Sequence, residues 1–416
     1  MSAIKVGCGE SIISPGLGVS MAGYFHDRKS TAVHDDLYAR AMIFDDGNVS
    51  AGLLCCDLIC IQKEEVEKIR EIVSRETGLK GENITVCATH THTGPRTRVS
   101  RIETDKEPTL QWLEGFPERA AQSAVKAMEN VEPCQISGGT SLEDRIAFNR
   151  RYHMKDGTVQ SNPGNMNPGI IKPAGPIDPE VGVIAFTGQN EKIKALFVHY
   201  TCHLDNVGGN EISADYPGHL VRRLQERLAD APFVMYTNGA CGDINHIDTR
   251  SPYGRKGHEH SRWMGETLAG DVCEALKDMK PFPGEGVGAA SKIIQLPMRD
   301  DADKKIGEAE IQAIGVGDLG FVGIPAEYFV ELQLDIKERS PFKRTFVSEL
   351  ANGWVGYVPT KKAFEENMKD VPAERMESFD HKGYEVRSAL ARGFLPGIGE
   401  AMADTAVKLL NKVFGK

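Results

Sequence analysis

The sequence contains two histidines, His90 and His92, whose type and spacing suit the binding of a metal ion. They lie in the segment Ala-Thr-His-Thr-His-Thr-Gly-Pro at 88–95, between an apolar run at 84–88 and a Gly-Pro turn. Side chains at positions i and i+2 of a strand point to the same face, and neutral imidazole is a frequent zinc ligand. Taken alone, however, the pair is more typical of a polar strand end than of a metal site.

Two later segments place more histidines and carboxylates just after apolar runs. His199 and His203 belong to the first segment, and Asp243 and His246 follow a strand-like run at 233–236. In α/β sheets the ligand crevice lies outside the carboxyl ends of the strands. We therefore expect the three polar segments to meet at one crevice, and the whole constellation favours a metal site.

The elements that must position these residues follow an α/β pattern. The apolar spacing predicts a hairpin over 41–56, a helix over 63–77 and a strand over 84–88. Further helices are predicted near 117–130, 217–229, 260–278 and 400–413, and further strands at 181–186, 194–199, 233–236 and 311–324. Residues 157–179 are expected to form a long loop and 281–290 a connection. This order predicts an α/β fold of mixed sheets layered with helices, in a single domain over 1–416.

Composition excludes several classes of function. The chain has 416 residues, with 49 Lys and Arg against 59 Asp and Glu, and its net charge of -10 disfavours a nucleic-acid partner. There is no run of about 18 apolar residues and no N-terminal signal pattern, so we expect a cytoplasmic protein without membrane association. The nine cysteines include no Cys-x-x-Cys pair and are expected to be mostly buried, reduced thiols.

Several motifs, in order along the chain, resemble the neutral (non-lysosomal) ceramidase family. The most specific is the Thr-His-Thr-His-x-Gly-Pro string within 88–95. Shorter matching segments lie at 7–24, 37–44, 148–150, 197–199, 242–243, 325–327 and 356–360. The match runs from about residue 4 to about residue 411. This resemblance implies the fold of the catalytic domain of those enzymes and zinc-dependent cleavage of an amide bond.

The resemblance also implies a set of site residues. One Zn²⁺ per chain is expected to be held by His90, His199, Glu327 and Tyr357. His92 and Arg150 match the residues that polarise the substrate carbonyl and receive its developing negative charge. The set is chemically consistent, because zinc lowers the pKa of a bound water to about 7 and hydrogen-bond donors stabilise an oxyanion.

Three of these residues, Glu327, Tyr357 and Arg150, also have a structural interpretation. Glu327 follows an apolar run and would stabilise the start of the next helix. Tyr357 would pack in a glycine-rich loop, or donate to the oxyanion instead of binding metal, and Arg150 would pair with a surface acid. Asp57 follows a buried-looking run and is expected to orient a ligand histidine. Because a His, His, Glu, Tyr set accepts several ions, manganese and iron are alternatives to zinc.

The sequence departs from the ceramidase pattern in ways that indicate a different substrate. Asn245 stands where those enzymes carry a serine in a Gly-Asp-x-Ser-Pro-Asn motif. We also expect that the additional C-terminal domain of those enzymes and a secretion signal are missing. Asn245 is predicted, with Asp243, His203 and His246, to shape a polar substrate pocket. The chain is therefore expected to be a divergent member that acts on a small polar molecule rather than on a membrane lipid.

These observations predict a zinc-dependent hydrolase in which metal-activated water cleaves an amide, or else an ester or lactone. The alternatives are a true ceramidase that acts on a lipid amide, a non-catalytic metal-containing binding protein, and a zinc-dependent lyase or isomerase. Turnover of a short-chain ceramide would favour the first alternative. Thermal stabilisation by a ligand without turnover would favour the second.

Overall fold

The computed structural model describes residues 4–369 and 383–415. The α-helices of these residues are α1 (Lys63–Thr77), α2 (Glu107–Glu114), α3 (Phe116–Glu129), α4 (Tyr216–Arg227), α5 (His258–Ala275), α6 (Val330–Arg339), α7 (Lys361–Met368), α8 (Tyr384–Ala391) and α9 (Ile398–Val413). Within the described residues, none of the helices combines the length and the apolar character needed to cross a membrane.

The first of three large sheets carries the His90 segment at its edge. Its strands, in spatial order, are β5 (Ile84–Ala88), β4 (Ser50–Cys56), β3 (Tyr38–Asp45), β1 (Lys5–Ile12) and β6 (Glu132–Pro133). Strands β3 and β4 form an antiparallel hairpin, whereas β4 and β5 run parallel and are connected through α1. Helix α1 buries Val66, Ile69 and Val73 against this sheet and ends at Gly78, whose φ of 76° is the left-handed conformation that glycine adopts easily.

The second large sheet carries the His203 segment. Its strands, in spatial order, are β15 (Phe233–Asn238), β13 (Ile193–Tyr200), β12 (Glu180–Thr187), β7 (Gln135–Leu142) and β17 (Lys280–Pro281). Strands β13 and β15 run parallel and the other neighbours are antiparallel. Helices α4 and α5 pack on one face, where Leu220 and Leu268 are fully buried. The carboxyl ends of β13 and β15 therefore lie side by side.

The third large sheet and four small ones complete the described strands. The third sheet consists of β18 (Val287–Gln295), β19 (Glu308–Val316), β20 (Leu319–Gly323) and β22 (Arg344–Ser348), with β20 and β22 parallel. The small sheets are β2 (Ala32–Val33) with β14 (Glu211–Ile212), β8 (Phe148–Asn149) with β16 (Ile244–Asn245), β21 (Glu327–Tyr328) with β23 (Tyr357–Val358), and β9 (Arg151–Met154) with β10 (Val159–Ser161) and β11 (Ile170–Pro173). Helices α6 and α9 cover the third large sheet.

The three large sheets face one apolar core. Phe44 of β3 packs against Phe186 of β12 and Phe321 of β20, with 5.7 Å between ring centroids in both pairs. Phe197 of β13 contacts Phe346 of β22 at 4.9 Å. Fully burying a side chain of this size stabilises the fold by about 1.5–3 kcal/mol. This core fixes the sheets relative to one another and brings the carboxyl ends of β5, β13, β15, β20 and β22 into one region.

The predicted fold class, α/β with mixed sheets layered with helices, is confirmed. The helix at 63–77 and the strand at 84–88 lie where their patterns predicted them. Three local predictions differ from the structure, two in the type of structure and one only because a turn divides the predicted strand. The expected loop at 157–179 contains β10 and β11, the expected connection at 281–290 contains the start of β18, and the run at 311–324 divides into β19 and β20 at Gly317. Strands β10 and β11 and the start of β18 are short or partly polar, so period-two apolar alternation does not mark them. The single domain over 1–416 stays a prediction.

Gly9 provides a test of how closely α3 lies on β1. A Cβ atom at Gly9 would lie 2.3 Å from the carbonyl oxygen of Ser123 and 2.7 Å from the amide nitrogen of Ala127, both in the backbone of α3. We expect Gly9→Ala to lower the free energy of unfolding by about 1–3 kcal/mol, because the helix must move away from the sheet. Urea unfolding followed by circular dichroism measures this change. Gly16→Ala is the matched control, since a Cβ there meets no atom within 4 Å. Equal stabilities of the two variants would contradict the close packing.

Candidate metal centre

Two loops that follow β5 and β13 bring three histidines together. The loops are joined by a parallel bridge between Thr91 and Leu204, and the backbone N–H of His92 donates to the carbonyl of Leu204 at 3.1 Å. As a result, Nε2 of His90 lies 2.9 Å from Nε2 of His203 and 3.4 Å from Nε2 of His92. The three imidazoles offer nitrogens that all lie within 4.8 Å of one another. We refer to His90, His92 and His203 as the histidine cluster.

The hydrogen bonds of two of these rings fix the direction of their lone pairs. Nδ1 of His90 lies 2.8 Å from the carbonyl oxygen of Ile59, and Nδ1 of His203 lies 3.0 Å from the carbonyl oxygen of Cys241. Because a carbonyl oxygen only accepts, Nδ1 of each neutral ring carries the proton and Nε2 carries a lone pair. The two nitrogens that carry these lone pairs therefore lie only 2.9 Å apart, which is repulsive unless a cation or a proton is shared between them.

Protonation is an unfavourable way to relieve this repulsion. Burial lowers the pKa of His90 below the ordinary histidine value, and burial together with the neighbouring His90 lowers the pKa values of His92 and His203 well below it. The three rings are consequently neutral near pH 7. A metal cation is the partner that their lone pairs fit, and a donor set dominated by imidazole nitrogen suits zinc.

A carboxylate lies beside the histidine cluster. Oε2 of Glu327 is 3.6 Å from Nε2 of His90 and 4.0 Å from Nε2 of His203. The bridge between β21 and β23 pairs Glu327 with Tyr357, whose phenol pKa is raised well above its usual range by burial and by Glu327. The indole N–H of Trp354 donates to Oε1 of Glu327 at 3.1 Å, which leaves Oε2 for the histidines. Glu327 does not cap α6, because the helix begins at Val330.

Arg150 lies next to Tyr357 and is anchored by three acceptors. Its Nε donates to Glu385 at 2.7 Å, and its Nη2 donates to the carbonyl of Gly242 at 2.7 Å and to the Tyr357 hydroxyl at 3.2 Å. Burial acts to lower the pKa of Arg150, but Tyr357 and Glu385 raise it well above its usual range, so the guanidinium stays charged. The partner acid is thus buried rather than on the surface. Its Nη1 donates to no acceptor among the described residues, and a ligand could accept from it.

A buried carboxyl group supports the loop behind His203. Oε2 of Glu349 accepts from the backbone N–H groups of Cys241 and Tyr328, each at 3.0 Å, and Oε1 lies 2.8 Å from Cys241 Sγ. The carbonyl of the same Cys241 accepts from Nδ1 of His203. Burial raises the pKa of Glu349 to about 8, so the group is largely protonated near pH 7. Sequence reasoning missed Glu349, and its only signal is an acid directly after the apolar run of β22.

The backbone around the histidine cluster adopts conformations that let the histidine rings lie close to it and to one another. His90 has a φ of 82°, a left-handed conformation that is uncommon outside glycine and costs about 1–3 kcal/mol where it occurs. Its N–H donates to the carbonyl of Leu58 at 2.8 Å, which helps to hold this conformation. Gly23 leaves space for the neighbouring ring, because a Cβ at that position would lie 2.7 Å from the imidazole of His92. Strain of this kind is typical of functional sites.

The structure does not bring His199 into the histidine cluster. His199 lies within β13, where its Nδ1 is 2.9 Å from the hydroxyl of Thr237 and its ring packs against Phe346 with 5.5 Å between centroids. Burial lowers its pKa to about 3. The residue that joins His90 is His203, which lies three positions beyond the end of the strand. The motif match at 197–199 points to the histidine inside the strand, whereas the loop that follows reaches the crevice.

The other residues predicted to shape the pocket have varied surroundings. The carboxylate of Asp243 accepts from the backbone N–H of Val330 and from Asn149, and burial raises its pKa to about 6. Asn245 donates to Asn162 at 2.9 Å. His246 is buried, which lowers its pKa to about 4. Asp243 and Asn245 thus connect chain segments around the site.

Two further carboxylates, Asp205 and Asp57, differ in whether they face the histidine cluster. Asp205 lies 3.5 Å from Nδ1 of His92, so it faces the histidine cluster. Asp57 was expected to orient a ligand histidine, but it accepts from the backbone N–H of Tyr38 and pairs with Arg40 at 3.2 Å. Asp57 therefore supports the sheet and not the cluster.

A small cavity opens onto the cluster. It has a volume of about 120 Å³, and its lining includes His90, Glu327, Arg96, Arg98 and Trp354. Ligand pockets for drug-sized molecules commonly have about 300–1,000 Å³. The cavity therefore suits a compact ligand or one part of a larger ligand.

Comparison with solved structures shows that the chain has a ceramidase-like fold. A crystal structure of neutral ceramidase from Pseudomonas aeruginosa has a TM-score of 0.78 and 17% sequence identity, over 99% of this chain and 75% of that chain. A structure of a ceramidase complexed with C2 has a TM-score of 0.79 and 16% identity, over 99% of this chain and 76% of that chain. No protein-family model and no curated protein sequence matches the chain. At these identities the similarity establishes the fold alone.

Metal content tests which histidines form the centre. We expect the purified protein, supplied with zinc and then gel-filtered, to carry about one divalent ion per chain by elemental mass spectrometry. His203→Ala should lose most of this metal, because it removes a nitrogen that faces His90. His199→Ala is the matched control and should keep the metal, because His199 bonds to Thr237 instead. Loss of metal in the His199 variant with retention in the His203 variant would overturn this assignment.

The raised pKa of Glu349 predicts how the stability of the protein changes with pH. Its pKa in the folded protein is about 8, against 4.5 for the ordinary group, so the folded state binds the extra proton and stability falls as pH rises between these values. Glu349→Gln removes this titration while keeping the shape and an acceptor for Cys241 and Tyr328. The free energy of unfolding of Glu349→Gln, relative to the native protein, should therefore be higher at pH 8 than at pH 5. Parallel urea titrations at the two pH values measure it, and a constant difference would contradict the raised pKa.

Proposed function

We propose that the chain is a metal-dependent hydrolase that cleaves an amide bond in a small polar molecule. The observation that carries this proposal is the 2.9 Å separation of the Nε2 atoms of His90 and His203, with the carboxylate of Glu327 next to them. A neutral, buried pair of this kind is explained by a shared cation and by no protein donor among the described residues. Two imidazoles and a carboxylate are a common ligand set of catalytic zinc.

His90, His203 and Glu327 would hold the metal, with Tyr357 as a fourth ligand or as a donor to the substrate. His92 would either bind the metal or exchange a proton, since its Nε2 faces the cluster and its Nδ1 faces Asp205. A bound zinc ion would supply Lewis acidity and a lowered pKa for a water molecule. The remaining steps depend on the side chains around it.

Arg150 and Tyr357 would stabilise the oxyanion that forms when water attacks the substrate carbonyl. The guanidinium is charged, buried and fixed by Glu385 and Gly242, and its Nη1 is left for the substrate. Donors that are held in place before the reaction need no reorganisation when the charge develops. If His92 does not bind the metal, its imidazole would take a proton from the attacking water and then donate it to the leaving amine.

The choice of an amide bond rests on the fold, which is that of two ceramidases. The small volume of the cavity, about 120 Å³, supports a compact substrate over a lipid. Esters and lactones pass through the same tetrahedral intermediate and stay candidates. The alternative from a different functional class is a non-catalytic binding protein. Such a protein could also hold zinc at this centre.

Turnover with and without metal tests the function. We expect the zinc-loaded protein to release amine from a panel of N-acyl metabolites, with more activity on these than on short-chain ceramide, and chelation followed by zinc addition should abolish and restore the activity. Products are quantified by mass spectrometry. Thermal stabilisation by panel compounds without turnover of any amide, ester or lactone would overturn the hydrolase in favour of a binding protein.

Arg150→Lys tests the proposed oxyanion donor. Lysine keeps the charge but loses the fork that holds Glu385, Gly242 and Tyr357 together, so we expect kcat to fall by about 10²–10³-fold with the metal content unchanged. Steady-state kinetics on the best panel substrate measures this. Arg75→Lys is the control, because Arg75 is an exposed helix residue paired with Glu76. A kcat equal to that of the control would exclude Arg150 from the reaction.

A further inference from the structure

Two arginines lie over the indole ring of Trp354, next to the candidate metal centre. The guanidinium carbon of Arg392 is 4.4 Å from the ring centroid and that of Arg98 is 5.0 Å from it. The same indole donates its N–H to Glu327. Trp354 therefore connects the two guanidinium groups directly to a proposed metal ligand.

Neither arginine has an acidic partner in the part of the chain that the structure describes. Arg98 and Arg392 form no ion pair with a carboxylate among residues 4–369 and 383–415, whereas Glu308 and Glu310 nearby already pair with Lys63 and Arg70. The pKa of Arg392 is lowered by burial and then by the positive charge of Arg98. Two guanidinium groups close enough to repel each other, one of them partly buried, are stabilised by an anion that binds both.

Arg98 faces the site where a substrate would bind, and Arg392 lines a neighbouring cavity of about 190 Å³ together with Arg98 and Trp354. Arg98 and Trp354 line the 120 Å³ cavity together with His90 and Glu327, and Arg96 lines it as well. Arg96 and Arg98 thus line this cavity, although the whole chain carries a net charge of -10. The local positive charge therefore does not follow from overall composition.

The backbone is also adapted to the position of Arg392. Gly356 has a φ of 98°, and a Cβ there would lie 2.5 Å from Nε of Arg392. Gly356 directly precedes Tyr357, a proposed site residue, and its carbonyl accepts from the N–H of Glu327 at 3.0 Å. The segment that positions Glu327 and Tyr357 thus also makes room for the guanidinium.

We propose that the substrate carries an anionic oxygen group, a carboxylate or a phosphate, which Arg98 and Arg392 bind beside Trp354 while the scissile amide lies at the histidine cluster. This inference rests on the proposed hydrolase function and adds a substrate class to it. Arginine suits the task because its planar fork donates two parallel hydrogen bonds to a carboxylate or a phosphate. The Trp354 ring limits the orientations of both guanidinium groups, so the anion fixes where the amide is held.

Matched substrate pairs test the proposal. The zinc-loaded protein is assayed on N-acetyl amino acids, on the corresponding carboxamides, which lack the charge, and on N-acetylated aminoalkyl phosphates. We expect kcat/KM for one anionic series to exceed that for the neutral series by about tenfold or more, as is typical when two charged hydrogen bonds are lost. The anionic series that is preferred distinguishes a carboxylate from a phosphate.

Variants identify the groups responsible. Arg98→Gln and Arg392→Gln should each raise KM for the anionic substrate by about tenfold or more, change kcat less, and leave the neutral carboxamide unaffected. Arg392→Lys keeps a charge in case the glutamine variant does not fold, and should show a smaller rise in KM. Arg75→Gln, with its exposed arginine on α1, is the matched control and should behave like the native protein. Equal cleavage of charged and neutral substrates would overturn the anion site and leave the hydrolase proposal standing.

A binding measurement separates the two proposals if no substrate is cleaved. Calorimetric titration of the zinc-loaded protein with N-acetylglycine and with inorganic phosphate should give an affinity that falls in Arg98→Gln and Arg392→Gln at unchanged metal content. That result without turnover would support the anion site while the hydrolase proposal fails. Affinities equal to those of the native protein would overturn the anion site, because the anion would then be binding elsewhere, for example at the metal.

Discussion

The 2.9 Å contact between Nε2 of His90 and Nε2 of His203 is the constraint on which the rest of the site depends. Two carbonyl oxygens hold the Nδ1 protons of these rings on the opposite side, so neither ring can turn its N–H toward the other. Desolvation at the same time makes a shared proton costly. The protein therefore holds two nitrogen lone pairs close together, an arrangement that is suited to a shared cation.

The surrounding structure keeps this unfavourable contact in place. A single bridge between Thr91 and Leu204 sets the separation of the two histidine loops. Behind it, the buried carboxyl of Glu349 holds Cys241, and Cys241 in turn holds His203. These contacts come from three different large sheets, which are fixed to one another by the common aromatic core. The free energy gained by burying that core offsets the cost of the left-handed backbone of His90 and the cost of burying unpaired nitrogens.

The charges around the site divide it into two parts. On the side of Arg150, each positive group has a negative or polar partner, and the buried Glu385 fixes the guanidinium. On the side of Trp354, Arg98 and Arg392 have no acidic partner among the described residues. The first arrangement is suited to stabilising charge that appears during a reaction. The second is suited to a charge that a ligand brings with it.

The resemblance of the motifs to those of ceramidases implied that Glu327 belongs to the same site as His90, and the two side chains lie 3.6 Å apart. The sequence by itself determined the α/β class, the helix at 63–77 and the strand at 84–88. These are local properties, since apolar periodicity and short motifs report which face of an element is buried and which residues follow it. Only the tertiary structure decided that His203, and not His199, meets His90, that Glu349 supports this contact, and that Arg98 and Arg392 share one indole. The reason is that these contacts depend on how three sheets pack and on a bridge between two loops that lie more than a hundred residues apart in the sequence. No local sequence pattern reports which of two such distant segments will meet.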